Sequence, residues 1–525
     1  MIFQSLRKYS VISLLILGIP YFLEIFLTIF YPENCSKLFV CDPAYIPMKL
    51  FQIGTVFFVM YLTFILNEHR KLLLWFWIFL IYIPTIVNLA SIYFSGFHIT
   101  TEFLGNIFNT HFREVWFFIK RYWIFFTVNI CFIILVFFLK INRLAYKKKY
   151  YGLLSFALFL TSVFMSKLLP VHTIVNTFYA YLADIREMEE CMKSHKTIDD
   201  IGWRIKFSGK QTYVLVIGES VDRKHMGIYG YERQTTPCFY DLKDELFVFK
   251  NVNTAHVITA AVIKDFFQFR NGKNEKPVKL IPFLKDAGFK TFWFSNQGKI
   301  DFFDNTVTRL GKMCDEYAFI YSEKADFSSD IYKVIDNCNR IGLDENLLKY
   351  LLKALEDSAE KKFIVLHLNG SHCPIDLTYP PEFAKFTLPK TYYDKMKALC
   401  VCHYDNSILY TDYILNEIIK QLKLTDGINC VVYLSDHGQD ILDTEDCILT
   451  ARTWPNSYEV PFIVWMSEKY RQINSDFISQ WDLTRHYVTD KLAYSIIDLL
   501  GITHTSIDLS NSIFNSDRKT SLIKK

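Results

Sequence analysis

No Cys-x-x-Cys pair occurs among the twelve cysteines, which excludes a zinc ribbon or a thioredoxin-type redox motif. Charge of one sign is scarce as well. Against 54 acidic residues stand 58 Lys and Arg, a net +4 over 525 residues, too little for a nucleic-acid surface, so nucleic acid is not an expected partner. Internal repeats and long low-complexity tracts are absent. The apolar first third has no intramembrane run of paired acids and no repeated Gly- or Pro-broken helix, which argues against a transporter; Glu24 is the one clear acid inside an apolar span.

What is present divides the chain in two. A bilayer core takes roughly 20 apolar residues of helix, and five stretches qualify: Ser10–Tyr31, Ala44–Leu66, Leu72–Phe94, Tyr122–Leu139 and Tyr151–Pro170. The first is too long for a cleavable signal peptide and lacks a small-residue cleavage site. Basic residues collect at the N-terminus (Arg7, Lys8), between spans two and three (Arg70, Lys71), and between spans four and five (Lys140, Arg143, Lys147 to Lys149). The positive-inside rule places those loops in the cytoplasm. An odd number of spans then puts everything after Pro170 outside it. The expected domains are a five-helix transmembrane domain over 1–171, an amphipathic interfacial linker over 172–206, and an outer domain over 207–525.

In the outer domain short apolar runs alternate with helical spacing. Tyr213–Ile217, Lys290–Phe294, Phe363–Leu368, Cys430–Leu434 and Phe462–Trp465 read as strands, and Leu347–Ser358 and Asn406–Leu422 as helices. That alternation predicts an α/β domain with a mostly parallel sheet, whose active residues sit at the carboxyl ends of strands. Three strand ends carry metal-capable side chains: Gly218-Glu219-Ser220, Gly370-Ser371-His372 and Ser435-Asp436-His437-Gly438. Alone, each reads better as something plainer: a polar turn at Asp436-His437-Gly438, a surface acid at Glu219, a structural histidine at His372. Together, Glu, Asp and His suit zinc, or else manganese.

The run Val216-Ile217-Gly218-Glu219-Ser220-Val221-Asp222-Arg223-Lys224-His225-Met226, continuing Tyr229-Gly230-Tyr231-Glu232-Arg233-Gln234-Thr235-Thr236-Pro237, resembles the phosphoethanolamine transferases of Gram-negative bacteria. So do Leu366 to His372, Tyr404-Asp405-Asn406-Ser407-Ile408-Leu409-Tyr410 and Ser435 to Gly438. The resemblance implies five spans in the inner membrane, then a periplasmic sulfatase/alkaline-phosphatase-like domain. It also implies transfer of phosphoethanolamine from phosphatidylethanolamine, a membrane lipid, to lipopolysaccharide (lipid A or core heptose) or another envelope glycan. The implied nucleophile is Thr259, with Ser220 and Thr254 as rivals. Glu219, Asp436 and His437 would hold Zn2+ together with the Thr259 oxygen. His372 would serve substrate binding or proton transfer, and Asn296 and Lys299 would contact substrate. Arg223 and Arg233 stand open between structural and phosphate-binding roles.

Two departures qualify the match. Ala255 stands where several relatives carry a disulfide cysteine, and no histidine follows His437 until His486; His256, beside Thr259, is a candidate replacement. These differences favour the glycan- or heptose-modifying branch. Within the same superfamily the competing activity is phosphoglycerol transfer of the lipoteichoic-acid or osmoregulated-glucan type; a sulfatase is disfavoured, because no Cys-x-Pro-x-Arg site occurs. The competing reading of another class is an inactive membrane scaffold.

Overall fold

A computed structural model describes residues 83–95, 204–270, 277–297, 306–320, 343–372, 375–387, 395–439, 441, 456–504 and 507–515, with scattered helical positions between 123 and 186. The chain divides into two compact units, Met1–Asp184 and Ile185–Lys525. In the first, a helix runs over Ile83–Ser95, overlapping the second half of the third expected span and ending one residue past it. The rest of the five-span expectation lies almost wholly outside the described residues, among which no helix is long and apolar enough to cross a membrane. The division falls inside the expected linker, where residues 175–180 are helical and Val175, Phe178 and Tyr179 are exposed.

The second unit is organised by one seven-stranded sheet. In chain order its strands are β1 (Gln211–Gly218), β2 (Leu246–Phe249), β3 (Lys290–Ser295), β4 (Glu316–Phe319), β5 (Lys361–His367), β6 (Ile428–Ser435) and β7 (Phe462–Met466). Across the sheet they lie in the order β2-β7-β6-β1-β5-β3-β4. From β6 to β4 all pairings are parallel; β7 runs antiparallel to β6, and β2 antiparallel to β7. All five strands expected from sequence form, each within a few residues of its expected ends. The two not anticipated, β2 and β4, are four-residue strands at the sheet's edges, too short to show a period.

The central strands are unbroken apolar runs because both faces are covered. All eight residues of β1 are buried. Side chains alternate between the faces: Tyr213, Leu215 and Ile217 join one core, Val214 and Val216 the other. The first core is closed by α1 (Thr259–Phe266), α2 (Leu280–Asp286), α3 (Thr306–Met313) and α6 (Leu492–Leu499). The second is closed by α4 (Leu348–Glu356) and the 29-residue α5 (Lys395–Lys423). Each fully buried Val, Leu or Phe contributes about 1.5–3 kcal/mol, so this three-layer packing is what fixes the strand order. Among the described residues Cys131, Cys238, Cys314, Cys400, Cys402 and Cys430 are thiols.

Candidate metal and nucleophile site

Because β6, β1, β5 and β3 are parallel neighbours, the residues following them gather at one edge of the sheet. Ser435 pairs with Gly218 in register, so Glu219 and Asp436 leave adjacent strands side by side. Glu219, Asp436 and His437 are all fully buried, and one ligand atom from each lies within 4.8 Å of the others. His437 Nε2 is 3.4 Å from both Glu219 Oε1 and Asp436 Oδ2.

The surroundings fix each donor's orientation. The ring Nδ1 of His437 lies 2.8 Å from the Gly438 carbonyl; a proton there is donated to that oxygen, which turns the Nε2 lone pair toward the carboxylates. Asp436 Oδ1 accepts from the backbone N–H of His437 at 2.7 Å and of Ser220 at 3.1 Å. Glu219 Oε1 accepts from Ser220 Oγ at 2.6 Å. Its Oε2 accepts from Thr259 Oγ1 at 3.2 Å and Gln297 Nε2 at 2.8 Å. Two carboxylates at zero exposure repel each other and cost desolvation energy unless a cation lies between them. Two oxygen donors, an imidazole nitrogen and a hydroxyl fit zinc by chemistry and by separation.

Thr259 is the first residue of α1, held there because Val262, Ile263 and Phe266 bury the helix against the sheet. Ile258 supplies no side-chain cap, so the positive end of the helix acts at the threonine oxygen. That oxygen is also 3.5 Å from His437 Nε2. Ser220 is 3% exposed and its hydroxyl is spent on Glu219; Thr259, only partly buried, is the more accessible of the two. Thr254 is buried and takes a hydrogen bond from Thr489 at 3.4 Å, away from the cluster.

Ser220 adopts φ +61°, the left-handed region that L side chains avoid. Tyr404 stabilises the turn: its hydroxyl donates to Ser220 O and accepts from Asp222 N–H, each at 2.7 Å. On the other side, Gly370 lies so close that a Cβ there would meet Glu219 O at 2.8 Å. Ser371 N–H donates to that same carbonyl at 3.0 Å, and Ser371 Oγ lies 2.8 Å from Ser407 Oγ. His372 follows, half-buried, its N–H donating to Asn369 O.

Asn296 and Gln297 part company. Asn296 is fully buried and donates to Asp344 Oδ1 at 2.8 Å, while Gln297 turns to Glu219. Burial pushes the Asp344 carboxyl up to about 6, opposed by the N–H groups of Asn369 and Gly370 and the Asn296 amide. Asn296, expected to contact substrate, reaches the Asn369–Gly370 loop through Asp344, and Lys299, the other expected contact, lies outside the described residues. Strand alternation carried the missed signal: Trp293 lies in the core that α1 closes, so by period two residues 295 and 297 continue on that side and residue 296 on the other. His367, beneath this corner, shares Nδ1 with Ser295 Oγ at 3.1 Å, and burial pushes its ring down to about 4.

The remaining motif residues build the frame. Asp405 joins His225 at 3.0 Å, Tyr231 at 3.1 Å and Arg233 at 2.7 Å. Asp412 takes the N–H groups of Cys238 and Phe239 at 2.8 and 3.0 Å. Arg233 is thereby engaged with a carboxylate. His256 pairs with Asp265 at 3.1 Å on the exposed side of α1.

The sulfatase family model matches residues 211–502. The chain belongs to the sulfatase family. Among curated relatives, phosphoethanolamine transferase CptA of Salmonella typhimurium is 30% identical over 365 residues, 66% of this chain but 60% of that protein. The chain therefore matches about three fifths of the length of such relatives. A crystal structure of the C-terminal periplasmic domain of EcEptC from Escherichia coli, in complex with Zn, is 29% identical with TM-score 0.53, covering 61% of this chain and 90% of that one. The fold also matches the integral membrane protein lipooligosaccharide phosphoethanolamine transferase A from Neisseria meningitidis, at 19% identity and TM-score 0.61, over 93% of this chain and 97% of that one. The family resemblance read from the motifs is borne out by these relatives; manganese finds no counterpart among them.

Proposed function

We propose that this chain is a zinc-dependent phosphoethanolamine transferase of the bacterial inner membrane, its sulfatase-like domain on the periplasmic side of five spans. The observation that carries the reading is the placement of Thr259 Oγ1, 3.2 Å from Glu219 Oε2 and 3.5 Å from His437 Nε2 at the start of a helix. The names of the relatives and the zinc complex of one of them support it.

Zinc held by Glu219, Asp436 and His437 would supply a Lewis acid, lowering the hydroxyl pKa and offsetting charge on the phosphoryl group. Thr259 gives up its proton along its hydrogen bond to the Glu219 carboxylate, and the dipole of α1 favours the resulting anion. The threonine oxygen attacks the phosphorus of phosphatidylethanolamine. The bond to the diacylglycerol oxygen breaks, and His372 protonates that leaving group. Phosphoethanolamine then rests on Thr259 until an acceptor hydroxyl, deprotonated by His372, attacks the phosphorus; the bond to Thr259 Oγ1 breaks and that oxygen recovers its proton from Glu219. The acceptor is lipopolysaccharide or another envelope glycan.

Mass spectrometry of envelope glycolipids from cells with and without the gene tests this. The expected difference is one phosphoethanolamine, which contains nitrogen. A nitrogen-free phosphoglycerol increment would select the alternative transferase, and no increment would leave the inactive scaffold.

A further inference from the structure

Arg223 follows Glu219 by one turn of loop, and its side chain is only 13% exposed, which already disfavours a role in meeting an incoming phosphate. Its guanidinium has two partners. One nitrogen donates to the backbone carbonyl of Val252 at 2.5 Å, and the other lies 3.5 Å from Glu459 Oε1. The backbone repeats the connection, because Arg223 N–H donates to Glu459 O at 3.3 Å.

These two partners belong to the other two segments of the site. Val252 opens the stretch that leads through Thr254 to Thr259. Glu459 lies in the stretch that returns beside Asp436–His437, where Gly438 N–H donates to Ser457 O at 2.8 Å. Those stretches are stitched to each other as well: Thr254 N–H donates to Tyr458 O at 2.8 Å, Val460 N–H to Val252 O at 3.2 Å, and Asn253 bridges Glu459. Lys224 adds a second cation, 2.8 Å from Glu459 Oε2, but with its side chain 48% exposed. A planar guanidinium reaches a carbonyl and a carboxylate at once, whereas an ammonium on a flexible stem holds one direction less firmly.

We propose that Arg223, paired with Glu459, is a positioning residue that holds the Thr259 segment against the loops bearing Glu219 and Asp436–His437. This rests on the reading of Thr259 as nucleophile. Displacing a nucleophile by a fraction of an ångström lowers turnover without weakening substrate binding. The clasp acts through Val252 and the backbone and touches no donor atom of the lipid, so donor affinity stays as it is.

The test compares wild type, Arg223→Ala, Arg223→Lys and Glu459→Gln as the full chain in detergent, with phosphatidylethanolamine as donor. Turnover number and KM are separated, zinc affinity is measured by chelator competition, and folding is checked by thermal melting. At saturating zinc, Arg223→Ala is expected to lower turnover about 10- to 100-fold, with donor KM within about twofold of wild type. Millimolar guanidinium should restore part of the turnover. Arg223→Lys and Glu459→Gln should fall between, and Glu459→Gln carries the test if Arg223→Ala does not fold. Unchanged turnover overturns the proposal, and so does a KM rise of about tenfold or more at constant turnover, the signature of a phosphate contact. Thr259→Ala run alongside separates the two claims: full transfer by that variant sinks the nucleophile reading itself.

Discussion

The body of the sheet and its carboxyl edge are made from the same strands under opposite rules. In the body, side chains are apolar, backbone angles ordinary and alternation strict. At the edge, within four residues of the strand ends, Glu219, Ser220, Asn296, Ser371, Asp436 and His437 are almost as deeply buried as the core, and Ser220 holds a positive φ. Burial in the body is driven by water leaving apolar surface. Burial at the edge runs against solvation, and is tolerated because most of these polar groups meet a donor or acceptor supplied from elsewhere. The body determines whether the domain folds; the edge determines what it does.

The sharpest way to break that division is Thr259→Ala, expected to lower transfer at least about a thousand-fold while the melting temperature stays within a few degrees. Transfer near the wild-type rate would remove the nucleophile from the edge. Next is the body: Leu366→Ala, at a fully buried position, should cost about 2–5 kcal/mol of stability with turnover per folded molecule unchanged, read by denaturant unfolding beside an activity titration. Gly370→Ala sits on the border. Its φ of +51° and the 2.8 Å approach to Glu219 O predict about 1–3 kcal/mol of strain, together with weakened zinc binding, since Glu219 is what must move. Smallest is Gln297→Leu, which deletes the hydrogen bond to Glu219 Oε2 and a longer one to Leu368 O, and should lower zinc affinity about tenfold with the melting temperature of the apo-protein within a few degrees. A large fall in that temperature would make Gln297 part of the body instead.

The two regions were also unequally legible in the sequence. Apolar runs announce central strands, so β1, β3, β5, β6 and β7 were readable to within a few residues, and the acids and histidines that terminate them were conspicuous. Thr259 was placed by family resemblance alone, since nothing in its own neighbours marks it. Which of Asn296 and Gln297 reaches Glu219 depends on the face a residue keeps after its strand has ended. The partners of Arg223 and Tyr404 were out of reach for a different reason. Glu459 and Ser220 lie far along the chain from them, and hydrogen bonds of that separation leave no periodic trace.

Helix α5 gives the site an unusual mechanical property. At 29 residues it is a rod of about 44 Å, and from one stretch of it Tyr404 grips the Ser220 turn, Asp405 the His225–Arg233 loop, Ser407 the loop before His372, and Asp412 the short helix after Pro237. Supports mounted on a single beam drift together. Thermal motion of the beam therefore translates these loops in concert, and the spacing between them survives displacements that independent mounts would turn into misalignment.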